Sequence, residues 1–179
     1  EKKFNNRSML GERDPWFRCL TFFRLPDKPF FVSEWDDPWP NEWRAESPLF
    51  LAAVAGLQGW AGATIHTYRY DCRENVDQIA APITSDALYG VPYRSGIFDA
   101  FNDPGRFGLF YHAALMLRRG DVRESDRMAE IALPAVAHPF DPAHPQKGRI
   151  GAFDIPALVG AAETQKVALR LPGPAAAKP

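Results

Sequence analysis

Residues 29–68 constrain the fold more than any other part of the chain. "PFFVS" (29–33) is a short apolar run rich in β-formers and bounded by Pro29. Such a run reads as a strand buried on both faces, the kind found in parallel sheets. A Pro-rich polar loop occupies 35–46. A helix is then expected over 47–58, with Ser47 as N-cap and Pro48 at its first position. Its body "LFLAAVAGLQ" is apolar almost all round, and Gly59 can stop it. "GATIHTY" (62–68) reads as a second strand. Parallel strands need a crossover of this length, so strand, helix and strand form one βαβ unit. Two such strands are not a closed fold, because they need cover on both faces and neighbours at both edges. The sequence offers few other strong strands, so the pattern reads as part of an α/β sheet.

Elsewhere the signals are sparser, and no internal repeat is visible. "DPWFRCLTFFRL" (14–25) is compatible with a short helix capped by Asp14, with Pro15 next. Residues 69–100 are long and irregular. A second strong helix spans about 103–118, with Asp103 as N-cap, Pro104 next, basic residues in the last turn and Gly120 just beyond. After Asp121 the character changes. "RESDRMAEIAL" (123–133) suits either helix or strand. "PAVAHPFDPAHPQKG" (134–148) is loop, "DIPALVGAAETQKVAL" (154–169) is weakly helical, and "PGPAAAKP" (172–179) is a tail. The expected organisation is 1–122 as an α/β portion and 123–179 as a C-terminal extension.

Composition removes some function classes. The net charge of −1 provides no field to attract nucleic acid or an anionic membrane. No apolar run approaches the ~20 residues of a membrane span. "EKKFNNRSML" is polar and carries no leader pattern. The chain does not begin with Met, which leaves open a processed product or a piece of something longer. Nothing fixes its localisation. Cys19 and Cys72 have neither metal-site nor redox spacing and read as free thiols. No motif asks for a metal or another cofactor.

Glu34 is the residue most open to chemistry. It ends the first strand, and in α/β folds ligands sit beyond the carboxyl ends of the strands. The plain alternative is an acid that caps the next loop or pairs with an arginine. The loop behind it carries Trp35, Asp36, Trp39, Asn41, Glu42 and Trp43. Aromatic faces stack on sugar rings, while amides and carboxylates take hydroxyl hydrogen bonds. The second strand ends in His66 and Tyr68, which share a face at i and i+2. Tyr68 can donate to Glu34 and hold it ionised. Taken singly, a Trp more commonly serves core or loop packing, and a lone strand His is more often a satisfied core residue than a catalyst.

These words together carry a family resemblance. "KPFFVSEW" (28–35), "PNEWRAE" (40–46) and "LQGWAGATIHTY" (57–68) resemble the seventh-to-eighth-strand region of clan A retaining glycoside hydrolases. Their nearest likeness is to (β/α)8 barrels of the β-galactosidase and cellulase-like type. "FNDPGRFGLFYHAALMLRRGDV" (101–122) resembles that family's eighth helix, and "NNRSML" (5–10) a segment after its sixth strand. The resemblance implies a partial TIM barrel, the last two or so βα units plus the extension. It also implies that Glu34 is the catalytic nucleophile, with Trp35, Asp36, Trp39, Asn41, Glu42, Trp43, His66 and Tyr68 lining the sugar site. The family's usual Asn after this motif is Asp36 here, and Ile65 and His66 stand where aromatics are common. A retaining mechanism needs two carboxyl groups ~5–5.5 Å apart. The family's acid/base, a Glu after an Asn on the fourth strand, has no counterpart in this sequence.

Three readings follow. In the first, the chain is the C-terminal part of a glycosidase acting on a glycoside or polysaccharide, its site completed by the rest of the barrel or by a homo-oligomer. In the second, it is a non-catalytic sugar-binding or structural remnant that oligomerises. In the third, a self-contained enzyme recruits its acid from Asp36, Asp37, Glu42 or Glu46, with Glu42 favoured by its place in the loop.

Overall fold

The structure is a computed structural model and describes residues 6–10, 20–68, 97–100, 103–132 and 160–171. The expectations for Asp14, Pro15, Cys19, Cys72, the loop at 134–148 and the tail lie outside those residues. The chain divides into two compact units. One comprises Glu1–Glu12, Val32–Ala53 and Ala63–Asp121, and the other Arg13–Phe31, Val54–Gly62 and Val122–Pro179.

The expected strand, helix and strand are present as β1 (Phe31–Trp35), α1 (Ser47–Gln58) and β2 (Gly62–Ile65). β1 and β2 pair as a two-stranded sheet. The Ala61 amide donates to the Phe30 carbonyl (2.8 Å) and the His66 amide to the Trp35 carbonyl (3.0 Å). The offset between partners is constant along the chain, so the strands run parallel.

Several boundaries differ from the sequence reading. β1 starts and ends two residues later than "PFFVS", so Glu34 lies within the strand rather than after it. β1 is not buried on both faces: Val32 and Trp35 are buried, but Phe31 is 53% exposed. β2 stops at Ile65, before His66. Ser47 is not the N-cap of α1. A 3-10 turn at Arg44–Glu46 leads directly into the helix, and the Ser47 amide already donates to the Arg44 carbonyl. The Ser47 hydroxyl is left buried and without a hydrogen-bond partner.

The helix ends follow the sequence more closely. At the end of α1, Gly59 has φ +62°. The Gly59 amide reaches the Gly56 carbonyl (3.2 Å) and the Trp60 amide the Ala55 carbonyl (3.0 Å). This is the two-bond Schellman closure, which satisfies carbonyls that the helix leaves open. The second helix, α2 (Pro104–Arg119), closes in the same way through Gly120 at φ +66°. Its N-cap is Asp103, whose carboxylate accepts the Arg106 amide.

In the second unit, β3 (Met128–Ala132) and β4 (Lys166–Arg170) pair in parallel, with Met128 opposite Lys166. The ambiguous "RESDRMAEIAL" therefore holds a strand, and the end of the weakly helical "DIPALVGAAETQKVAL" is strand rather than helix. Val167, Ala168 and Leu169 form the apolar centre of β4 and are buried. Val167 packs with Phe22 and Ala162, and Ile131 and Ala161 lie against them. Phe22 comes from a 3-10 turn (Leu20–Phe23), the described part of the expected first helix. Gln58, fully buried, ties α1 to this core. Its amide donates to the carbonyls of Ala162 (2.8 Å) and Gln165 (2.7 Å), and its oxygen accepts the Val167 amide (2.9 Å).

Two glycine substitutions should move stability in opposite directions. Gly59→Ala forces an L side chain into the left-handed region, where an added Cβ also meets the Glu124 carboxylate. It should destabilise by ~1–2 kcal/mol. Gly108 lies inside α2 with nothing within 4 Å of an added Cβ. Gly108→Ala should stabilise by ~0.5–1 kcal/mol. Denaturant titration of both variants checks the two signs.

Candidate functional site

The carboxyl ends of β1 and β2 bring Glu34 and His66 together. The Trp35–His66 backbone bond sets the register, and Glu34 Oε1 lies 3.7 Å from His66 Nε2. The Glu34 side chain is 68% exposed and that of His66 is 33% exposed. An exposed pair at that distance contributes little stability, on the order of 0–1 kcal/mol. Its interest lies in reach, because a carboxylate on rigid strand backbone faces solvent beside a group that can bond it. The His66 ring packs against Phe98 at 5.6 Å. The His66–Thr67 and Trp39–Pro40 peptides are both cis.

The loop behind Glu34 is held by its own polar groups and by residues 6–9. Asn41 is buried, and its amide donates to Asp37 (2.8 Å) and to the Arg7 carbonyl (3.3 Å). Its oxygen accepts the Trp43 amide (2.8 Å). Both amide hydrogens and the carbonyl are therefore engaged by the protein itself rather than turned towards a sugar. Glu46 accepts the Ser8 hydroxyl (2.7 and 2.8 Å) and the Met9 amide (3.0 Å). The Glu42 amide is bonded to Asn6 (2.9 Å), while the Glu42 residue is exposed.

The aromatic residues separate into two groups. Trp35 is 5% exposed and serves as core, so no sugar ring can stack on it in this chain. Trp39 is half-buried, and its amide donates to the Ile97 carbonyl (2.8 Å). Trp43 and Tyr68 each show about half of their surface, and Tyr68 lies 5.7 Å from Phe107. Of the predicted contact residues, Trp43, Tyr68 and Glu42 are the most exposed, and His66 and Trp39 are half-buried.

Asp36 sits elsewhere. Its side chain is wholly buried and pairs with the equally buried Arg106 at 2.8 Å. Burial pushes the Asp36 carboxyl up to about 7, more than the Arg106 charge and the Asp37 amide pull it down. Asp103 shows the opposite balance. Burial pushes it up, but the Arg44 hydrogen bond and charge, helped by Arg106, hold it below the usual carboxylate range. Arg44 in turn donates to the Asn41 carbonyl (2.9 Å). Asp36, Arg106, Asp103, Arg44 and Asn41 thus form one continuous network under the loop.

Sequence reasoning missed Arg106. One signal was available: a basic residue in the first turn of a helix opposes the helix dipole and so calls for anionic or carbonyl partners. Arg106 finds four, the Asp36 carboxylate and the carbonyls of Asp37 (3.0 Å), Phe98 (3.0 Å) and Asp99 (2.6 Å). Among the described residues no set of three or more His, Cys, Asp or Glu is arranged to hold a metal ion. Comparison with known protein families, with curated proteins and with solved structures finds no match.

The Asp36 environment predicts a pH dependence. A carboxyl raised from 3.8 to about 7 on folding keeps its proton in the native state while the unfolded chain has lost it. Stability should therefore fall as pH rises between those values, by up to ~1.4 kcal/mol per pH unit. D36N removes the titrating group, so the difference in melting temperature between wild type and D36N should change steadily over that interval. A constant difference would contradict the assignment.

Proposed function

We propose that this chain carries the nucleophile half of a retaining β-glycosidase site, with Glu34 as the nucleophile. The supporting observation is selective exposure. Of the acids from Glu34 to Glu46, Asp36 is paired with Arg106, Asp37 with Asn41, and Glu46 with Ser8 and Met9, which leaves Glu34 and Glu42 exposed, and of these two only Glu34 stands on a strand. Glu34 stands on a strand near its carboxyl end, open to solvent, with a histidine within 4 Å. That is where an attack on an anomeric carbon needs a rigid carboxylate. His66 would orient it, and Trp43, Glu42 and Tyr68 would contact the sugar.

The second carboxyl group would come from other barrel segments or from another copy of the chain. Among the described residues β1 and β2 form a sheet of two strands, and Phe31 is exposed. A groove of about 420 Å³ walled by Leu10, Leu49, Phe50, Ala53, Leu109 and Met116 also lies open. These apolar surfaces ask for cover. Of the internal acid candidates in a self-contained site, Glu42 alone keeps its carboxylate clear of the loop's hydrogen bonds. The engagement of the other acids favours, as second reading, a non-catalytic sugar-binding or structural remnant.

Dinitrophenyl β-glycosides test the nucleophile without the missing acid, because that leaving group departs unprotonated. Glu34 Oε attacks C1, dinitrophenolate leaves with the bonding electrons, and water later displaces Glu34. Turnover should be present in wild type and drop by ~10³-fold or more in E34Q. Turnover equal to wild type in E34Q contradicts the assignment, and sugar binding without any turnover favours the binding module. In light scattering the protein should be an oligomer, and a monodisperse monomer would contradict the expected cover of the sheet edges.

A further inference from the structure

We infer that Arg106 is the positioning residue of the site, fixing the Glu34–His66 pair through backbone carbonyls rather than touching a substrate itself. The inference rests on the glycosidase reading for its catalytic consequence, but the geometry stands independently.

Three chain segments meet around this guanidinium. The first is the turn after β1, gripped at the Asp36 carboxylate and the Asp37 carbonyl by Nη1. The second is 97–100, gripped at the Phe98 and Asp99 carbonyls by Nη2. The third is the segment after β2, which Arg106 reaches indirectly. The Thr67 amide donates to the same Phe98 carbonyl (3.3 Å), and the Ala100 amide donates back to the carbonyls of Thr67 (3.0 Å) and Tyr68 (3.2 Å). The Phe98 ring packs on His66. Residue 36 is two positions from Glu34, and Thr67 adjoins His66. A single planar group therefore fixes the residues that follow both members of the pair.

The side chain is suited to that task and to little else. Arg106 is 0% exposed, so no substrate reaches it. Four N–H bonds leave in two divergent directions in one plane, a pattern that a lysine ammonium on its single nitrogen cannot copy. Nε is buried without a hydrogen-bond partner. A buried orphan donor is tolerated where the rest of the group is held in place by several bonds. The anchor is itself anchored: its own amide is bonded by Asp103, which also holds Arg44.

The test uses the whole 179-residue chain and reads the His66 ring signals by NMR. In an Arg106 background, E34Q should shift the His66 resonances, because the carboxylate lies 3.7 Å away. In R106K, folded by near-UV circular dichroism, that E34Q effect should be lost, while the His112 signals stay unmoved. D36A is the second variant, should R106K not fold. It removes one grip and should reduce the E34Q effect at His66. An E34Q shift of the same size in R106K or D36A overturns the inference. With dinitrophenyl β-glycosides, R106K should lower kcat ~10- to 100-fold with KM little changed. Absence of turnover in the wild type would contradict the glycosidase reading alone, leaving the NMR comparison to decide the role of Arg106.

Discussion

The buried pairing of Arg106 with Asp36 is the interaction on which the candidate site depends. Two charges out of water are costly, and they persist only where further hydrogen bonds satisfy the remaining donors. Arg106 meets that condition at Nη1 and Nη2, with three backbone carbonyls beside the carboxylate, and leaves only Nε without a partner. Even so, burial leaves Asp36 easier to protonate than an ordinary carboxylic acid. The pair is a weak source of net stability but a strong specifier of geometry. Removing one partner would strand the other charge in a buried site.

Local chemistry was the most legible part of the sequence. Asp103 and Pro104 at the start of α2, and Gly120 at its end, each occupy the position their backbone preferences dictate. Gly59 closes α1 for the same reason. These signals depend only on neighbours in the chain. Ser47 misled because a cap signal ranks residues without knowing whether an earlier turn already exists. The 3-10 turn at Arg44–Glu46 took the start of the helix, and the Ser47 hydroxyl lost its role. β4 was missed for a related reason. "KVALR" is short, and its strand identity comes from pairing with β3, far away in the chain.

The same division holds at the site. Glu34 and His66 were legible as neighbours, since a βαβ unit places the ends of its two strands side by side. Sugar-facing roles for Trp35, Asp36 and Asn41 were not separable from packing roles by residue type. Trp35 went to the core, Asp36 to Arg106, and Asn41 to the Asp37 carboxylate, the Arg7 carbonyl and the Trp43 amide. Polar residues near a candidate carboxylate serve loop geometry at least as readily as ligand recognition, because a buried loop must satisfy its own backbone. Arg106 escaped notice because it lies seventy positions from its partner.

The central claim is that Glu34 attacks the anomeric carbon. The most direct measurement is covalent labelling by a dinitrophenyl 2-deoxy-2-fluoro-β-glycoside, followed by peptide mapping. The fluorine slows hydrolysis of the glycosyl-enzyme, so the sugar stays on the residue that attacked. The account predicts one sugar per active site, carried on the peptide containing Glu34 and absent in E34Q. A label on any other carboxylate would contradict it.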